Sequence, residues 1–352
     1  MKTYLVTGGA GFIGSNFIIY MLQKYDDVKI INVDSLTYAG NLENLKSVEN
    51  NFNYSFIQAD IRDEKAIADI FASNTVDYVI NFAAESHVDR SISNPDIFVK
   101  TNVLGTVNLL NITKKAWSIA DGQYRDGVKY LQVSTDEVYG ALGAEGFFTE
   151  ATPLDPHSPY SASKTSADLF VKAYHDTYKF PINITRCSNN YGPYQFPEKL
   201  IPLIMNNTLS HKELPVYGDG MQVRDWLYVD DHCKAIDMVV RDGVDGEVYN
   251  IGGHNERPNI FIVKTIIQYI KDNVDSEVGE HMIKYVTDRK GHDRRYGIDP
   301  QKIKDSLGWY PETCFEVGIK KTLKWYLDNQ EWVKNVTSGE YQKYYEKMYT
   351  GK

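Results

Sequence analysis

Cysteine is scarce: the 352 residues hold three, Cys187, Cys233 and Cys314. So few, so far apart and odd in number, they offer no disulfide framework and no metal-ligand spacing. Free thiols in a reducing compartment and no bound metal are expected. Long apolar runs are also missing. None approaches the ~20 residues that a membrane-spanning helix needs. Only Met1 precedes the first strand-like run, which leaves no room for a secretion signal. These absences predict a cytoplasmic protein with no membrane partner. Basic residues are outnumbered, 38 Lys and Arg against 47 Asp and Glu, giving a formal charge of −9. That balance argues against a general nucleic-acid binder, and an anionic ligand would need local cations to overcome it. No repeat or low-complexity tract interrupts the chain. Apolar residues are plentiful at 42%, enough for one large domain or two.

The N-terminal half alternates short apolar runs with helical periodicity. Lys2 to Thr7 reads as a buried strand. It is followed by Gly8-Gly9-Ala10-Gly11-Phe12-Ile13-Gly14 and by apolar Phe17, Ile18, Met21 and Leu22 at helical spacing. Strand, glycine turn and helix form the context of a dinucleotide-binding loop. Glycines let the backbone approach a pyrophosphate, and the helix N-terminus presents unpaired N–H donors. The spacing is Gly-x-x-Gly-x-x-Gly rather than the commoner Gly-x-Gly-x-x-Gly. The next strand, Val28 to Val33, ends in Asp34, 20 residues after Gly14. An acid there binds ribose hydroxyls and repels a 2′-phosphate, which favours NAD over NADP. Two further strands, Tyr54 to Gln58 and Tyr78 to Phe82, lead into Asp60-Ile61 and Ala83-Ala84. The first pair is a candidate adenine-edge contact, and the second leaves room for a cofactor. Helical stretches near 63–72 and 98–119 alternate with the strands. The pattern predicts an α/β fold with a doubly wound parallel sheet.

A fifth strand, Val128 to Val133, runs into Ser134-Thr135-Asp136-Glu137. Open α/β sheets bind ligands beyond their strand C-termini, and here a hydroxyl and two acids stand at such an end. A loop with Pro153, Pro156 and Pro159 then precedes a helix beginning near Tyr160, with Lys164 one turn on and on the same face. A phenol with a pKa of about 10 is a poor base at neutral pH. A neighbouring ammonium favours its phenolate, so the pair can take a proton from an alcohol while NAD+ accepts a hydride. From Cys187 onward the pattern is irregular, as in a substrate-binding lobe. Arg224, Arg289, Arg294 and Arg295 offer forks suited to diphosphate oxygens. Glu247 to Ile251 reads as a strand rejoining the main sheet, and helices are expected near 261–273 and 316–328. We therefore expect a Rossmann-type NAD domain over residues 1–186, with segments near 225–252 returning to it. Residues 187–352 would form mainly a smaller α/β substrate-binding lobe. Tyr341, Tyr344, Tyr345 and Tyr349 are expected to pack rather than to react.

Thr7 to Gly14, Ala83-Ala84, Ser134-Thr135 and Tyr160 to Lys164 together resemble the extended short-chain dehydrogenase/reductase family. Within it, five stretches resemble the sugar-nucleotide dehydratases: Ala83 to Arg90, Thr135-Asp136-Glu137, Cys187 to Pro193, Arg224-Asp225-Trp226 and Asp288 to Arg295. The likeness spans essentially the whole chain; one departure is a short loop between Tyr139 and Glu150, and Lys290 also stands at a position that varies among relatives. It implies tightly bound NAD held by Gly8, Gly11, Phe12, Ile13, Gly14, Asp34, Ser35, Leu36, Thr37, Asp60, Ile61, Phe82, Ala83, Ala84, Ser86, Thr101, Tyr160, Lys164 and Asn190. It implies dTDP-glucose as substrate, contacted by Ser86, His87, Thr135, Asp136, Glu137, Asn189, Lys199, Leu200, Pro215, Tyr217, Arg224, Asn259, Asp288, Arg289 and His292. The implied catalytic set is Thr135, Asp136, Glu137, Tyr160 and Lys164. Tyr160, helped by Lys164 and Thr135, takes the C4 hydroxyl proton while NAD+ accepts the C4 hydride, Glu137 removes the C5 proton, and Asp136 protonates the departing C6 hydroxyl. For this, Asp136 must be protonated near neutrality, and the backbone must bend so that adjacent side chains converge, since in a strand they diverge. A homodimer through the helices near 98–119 and 160–179 is the family expectation. Uridine in place of thymidine, a 4-epimerase or decarboxylase activity, and a non-catalytic NAD sensor stay open from the sequence.

Overall fold

In the computed structural model, which describes residues 1–337, one seven-stranded sheet forms the centre of the molecule. Its strands are β1 (Lys2–Thr7), β2 (Val28–Asp34), β3 (Tyr54–Gln58), β4 (Tyr78–Asn81), β5 (Lys129–Thr135), β6 (Ile182–Cys187) and β7 (Val248–Ile251). They lie in the order β7-β6-β5-β4-β1-β2-β3, every pair parallel. Reversal of strand order between β1 and β4 makes the crevice in which such sheets bind dinucleotides. The strands read as nearly unbroken apolar runs because helices cover both faces. All seven residues of β5 are buried. In β1 the side chains alternate: Tyr4 and Val6 face one apolar cluster and Leu5 the other. The helices Phe12–Lys24 and Val229–Asp242 cover the first face, and Thr106–Trp117 and Pro159–Tyr178 the second.

Three departures from the expected elements matter for the site. The helix expected near 98–119 starts at Pro95 and opens into a π-helical segment, Val99–Gly105, before Thr106–Trp117. That wider turn carries Thr101 and Asn102. The Asn102 amide donates to Glu85 O (3.0 Å) and to Ser163 Oγ (2.8 Å), joining the loop after β4 to the helix that bears Tyr160. That helix starts one residue before Tyr160, at Pro159, with Ser158 and Ser161 closing a reciprocal cap. Third, the strand Asn189–Tyr191 follows β6 almost at once but pairs elsewhere, with Val223–Tyr228.

The second lobe has its own core, in which Ile262, Ile266 and Ile270 of the helix Asn259–Asn273 meet Phe315, Ile319 and Leu323 of Phe315–Asp328. Two small sheets belong to it, Asn189–Tyr191 with Val223–Tyr228 and Glu256–Pro258, and Leu214–Tyr217 with Ile283–Val286. Between them the chain returns to the main sheet as the helix Val229–Asp242 and the edge strand β7. The packing expected of Tyr341, Tyr344, Tyr345 and Tyr349 lies outside the described residues.

The glycine turn depends on a close backbone approach. Gly8 has φ +70°, and a Cβ placed there would lie 2.6 Å from Ala83 N. Both the left-handed backbone and the contact with the loop after β4 demand glycine. Gly8→Ala is expected to lower unfolding free energy by about 1–3 kcal/mol. Denaturant titration measures it, and parental stability would refute the account.

Candidate active site

One cavity crosses the C-terminal ends of β1, β2, β4 and β5. On its first wall are Gly8, Gly11, Phe12, Ile13 and Gly14, with Asp34, Ser35, Thr37, Asp60 and Ile61 beside them. Phe82, Ala83, Ala84, Ser86 and Thr101 form its floor, and Thr135, Asp136, Glu137, Tyr160, Lys164, Asn189, Asn190 and Lys199 its far end. Most residues expected on cofactor grounds thus share one space with all five expected catalytic ones. The cradle suits a dinucleotide. A Cβ on Gly14 would meet Gly8 O at 2.4 Å, so only bare backbone fits the turn. Asp34 accepts from Ala10 N (3.0 Å) and Leu36 N (2.8 Å), which aims its carboxylate at the glycine turn. Burial raises the Asp34 carboxyl, and those two backbone donors oppose the rise. Leu36 does not line the cavity; it takes a left-handed backbone (φ 53°) that closes the turn around Asp34.

The chain bends directly after β5. Asp136–Tyr139 is a 3₁₀ turn capped by Thr135, whose hydroxyl accepts from Glu137 N (3.3 Å) and lies 3.3 Å from Asp136 Oδ1. This is the bend that adjacent acids need if they are to serve one substrate. Asp136 is 1% exposed, and its Oδ2 has no hydrogen-bond partner. Burial pushes its carboxyl well above the usual range, and the charge of Glu137 adds to that. Glu137 is half-buried and faces the cavity. Burial raises it too, but Arg289, Arg224 and Lys199 pull it back. Two neighbouring carboxyls in different electrostatic settings are the arrangement for one acid and one base.

Tyr160 is 8% exposed and within hydrogen-bonding reach of Thr135. The expectation that Lys164 lowers its pKa does not hold in this state. Burial, with the charge of Glu137, pushes the phenol well above 10. The Lys164 ammonium donates instead to Val133 O (2.8 Å), and burial lowers its own pKa. Asn190 accepts from buried His232 Nδ1 (2.8 Å) and donates to Ser188 O (3.0 Å), so its amide is held by the protein. Burial drops His232 to about 3, leaving it a neutral donor.

The remaining substrate candidates form a second cluster that meets the cavity at Glu137. Arg224, 4% exposed, stacks 4.2 Å from the Tyr296 ring and donates to Asp293 O (2.9 Å). Asp288 accepts from Gln222 Nε2 (2.9 Å), and its Oδ1 lies 2.6 Å from His292 Nδ1. Burial and Arg289 lower His292 to about 4. Arg289 carries a buried Nε without a partner, and Asn259 a buried Oδ1 without one, as groups awaiting a polar ligand would. The Tyr217 hydroxyl reaches Asp89 Oδ2 (3.3 Å), and its ring meets His292 edge-on. His87 is buried and its ring is kept neutral by burial and by nearby Lys199. Pro215 is half-buried in the strand Leu214–Tyr217, and Leu200 packs on the second-lobe core. Neither lines the main cavity. Two arginines are corrected outright. Arg294 is spent on Asp219 (2.8 Å) and Arg295 on Glu256 (2.9 Å), so neither fork is free for a diphosphate.

Several residues went unread. Glu85, Gln195, Phe196 and Glu198 line the cavity, and Tyr296 stacks under Arg224. Glu198 follows a proline in an irregular loop and offers no spacing signal. Tyr296 was the more findable, directly after the Arg294-Arg295 pair.

Comparison with known proteins agrees with this geometry. Residues 5–322 match the family model described as GDP-mannose 4,6 dehydratase. A dTDP-glucose 4,6-dehydratase of Xanthomonas campestris pv. campestris is 52% identical across 97% of this chain and 98% of its own. The dTDP-glucose 4,6-dehydratase 1 of Escherichia coli K12 is 50% identical across 99% of both. The chain belongs to the dTDP-glucose 4,6-dehydratase family. A crystal structure of that dehydratase from Bacillus anthracis, in complex with NAD, superimposes with a TM-score of 0.86 at 50% identity, covering 96% of this chain and all of that one. A UDP-glucose 4-epimerase of Thermotoga maritima has the same fold at 31% identity, with a TM-score of 0.81 over 93% of this chain and 99% of its own. The family's dehydratases and such epimerases therefore share a frame, and the acid pair is where this chain's chemistry is read.

Buried beside the Glu137 charge, the Asp136 carboxyl stays protonated as pH rises through about 4, the ordinary range, and ionises only well above it. Infrared titration of Asp136→Asn against the parent should remove a protonated-carboxyl band at neutral pH. Identical spectra at pH 7 would rule the assignment out.

Proposed function

We propose that the protein is a dTDP-glucose 4,6-dehydratase that converts dTDP-glucose to its 4-keto-6-deoxy derivative and water. The observation that carries this reading is the sealed Asp136 beside the cavity-facing Glu137, in the turn that also presents Thr135 to Tyr160. NAD, bound along the glycine turn, supplies the C4 hydride acceptor, the donor that returns the hydride to C6, and a cationic ring whose charge favours the Tyr160 phenolate. Tyr160 takes the C4 hydroxyl proton, with Thr135 polarising that oxygen. The resulting ketone acidifies the C5 proton, which Glu137 removes. Asp136 gives its proton to the C6 hydroxyl, and water leaves across C5–C6. Glu137 then returns a proton to C5, Tyr160 gives up the proton it took and Asp136 takes one up from water, so the side chains end each cycle as they began and the returned hydride leaves the cofactor unchanged. Lys164 fixes the site through Val133 O rather than by proton transfer. Arg224 and Arg289 supply the positive charge that a diphosphate requires in a chain of net charge −9.

The division of labour we propose gives residues 1–186, with segments near 225–252, to NAD, and residues 187–352 mainly to the sugar nucleotide. We place the reaction in the cytoplasm, where the three cysteines, all free, would remain reduced. Among the described residues no helix is long and apolar enough to cross a membrane. We also propose a homodimer. Val99, Leu104, Leu169 and Phe170 are exposed apolar side chains on the two helical stretches expected to pair. Sedimentation should give twice the chain mass, and Leu169→Asp should shift it toward the monomer; a monomeric parent would end this part of the reading.

Product identification with dTDP-glucose and UDP-glucose side by side tests the main reading. In deuterated water the product should have lost water and carry deuterium at C5. Glu137→Gln should lower kcat by about 10²–10⁴, the usual yield of a positioned acid or base, with NAD still bound. An epimer of unchanged mass would sink the dehydratase.

The acid pair also dictates a pH profile. The Glu137 carboxyl sits above its ordinary value, so activity falls as pH drops below that raised value and the base is protonated. Asp136 is higher still, so activity falls again as pH climbs through its value and the acid is lost. Asp136→Asn should abolish the alkaline limb of kcat, and an unchanged limb would reassign the acid.

A further inference from the structure

The reaction proposed above ends with its cofactor restored, so release between turnovers serves no step, and release after oxidation would strand a ketone. A group of side chains at the rim of the cavity, none with a role in the proton transfers, fits this need. Tyr38 lies four residues after Asp34, in the turn that Asp34 and Leu36 hold against the glycine loop. Its ring meets Phe196 edge-on at 5.7 Å (75°). The Arg90 guanidinium stacks on the same ring at 3.7 Å. Arg90 Nε in turn donates to Glu198 Oε2 at 3.1 Å. Glu198 is 6% exposed, and its charge adds to burial in raising the Tyr38 phenol. Three segments distant in sequence therefore meet on one ring: the loop after β2, the helix Val88–Ser93 and the loop before the helix Leu200–Leu209. The first begins at the cofactor wall, whereas Phe196 and Glu198 line the cavity beside Lys199. The substrate-side loop is itself tied down, since Tyr326 donates to Gln195 O (2.6 Å) and Lys199 to Ser86 O (2.9 Å).

We propose that Tyr38, clamped between Arg90 and Phe196 and closed by Glu198, is a clasp that keeps NAD in the cavity through successive turnovers. The proposal rests on the dehydratase reading only in that NAD is the resident cofactor. A planar cation stacked on an aromatic face holds more firmly as the pair loses water, and the Tyr38 ring is partly buried. Opening the clasp breaks that stack and the Tyr38–Phe196 contact together, while the Arg90–Glu198 bond holds the cation in place over the ring.

The test is the rate at which bound NAD leaves the purified holoenzyme, followed by exchange against labelled NAD after gel filtration. Tyr38→Ala should release NAD about tenfold faster or more, the scale of one lost cation–π contact. Its kcat with saturating added NAD should match the parent. Tyr38→Phe keeps the ring and should stay near the parental rate. Arg90→Lys, which keeps the charge but loses the planar stack, should fall between them and decides the question if Tyr38→Ala does not fold. Parental release rates in Tyr38→Ala and Arg90→Lys would overturn the clasp and leave the dehydratase reading intact. A parent that neither carries NAD nor binds it would overturn that reading itself.

Discussion

Asp136 and Glu137 are adjacent in the chain and meet one cavity, but the protein buries the first almost completely and leaves the second half-buried. Two carboxyls held so close cannot both ionise cheaply. The surroundings resolve the conflict by charge. Arg289, Arg224 and Lys199 act on Glu137, while burial and Glu137 itself act on Asp136. Much of the architecture serves that asymmetry. β5 is buried along its whole length, so its C-terminal end is stiff where the chain leaves the sheet. The 3₁₀ turn is capped by the hydroxyl of Thr135. The buried pair Arg186–Asp168 (3.0 Å) and the bond from Arg186 to the Tyr139 hydroxyl (3.0 Å) pin the far end of the turn to β6 and to the helix that bears Tyr160. Breaking such a buried pair costs more than forming it contributes, so the device holds position rather than adding stability.

The two lobes are not consecutive pieces joined by a hinge. β7 rejoins the main sheet after the chain has already built part of the second lobe. Trp332, near the C-terminus, donates to Asn44 (2.7 Å), and Asn44 donates to Ala10 O (2.9 Å) in the glycine loop. Together with the contacts around Tyr38, these links tie the glycine loop to elements nearly the whole chain away. A reaction that oxidises, eliminates and reduces at one ring gains from such a frame, because its acid, base and hydride partner must keep register through three steps.

Much of this was legible beforehand, for identifiable reasons. Gly8, Gly14 and Asp34 were readable because a dinucleotide needs bare backbone and a ribose acceptor at set spacing, and neighbouring atoms do exclude a Cβ at both glycines. The Tyr160–Lys164 pair was readable because helical period puts them on one face. What Lys164 does with that proximity was not, since its nearest acceptor, Val133 O, belongs to a strand 31 residues earlier. The arginines divide for the same reason. Arg224, Arg289, Arg294 and Arg295 look alike in sequence, yet Asp219 and Glu256 consume the last two. Tyr38, Arg90 and Glu198 carry no spacing signal, because they meet only when three loops converge.

The sequence by itself determined the kinds of chemistry available: a glycine turn for a dinucleotide, a Tyr–Lys pair for oxidation, and two acids at a strand end for elimination. Local spacing suffices for those, because each motif is built within a single strand–turn–helix unit. Tertiary structure alone decided which acid holds its proton, which arginines are free and where Lys164 points. Each of those depends on burial and on charges supplied by segments remote in the chain, and a carboxyl's environment is set by its neighbours in space.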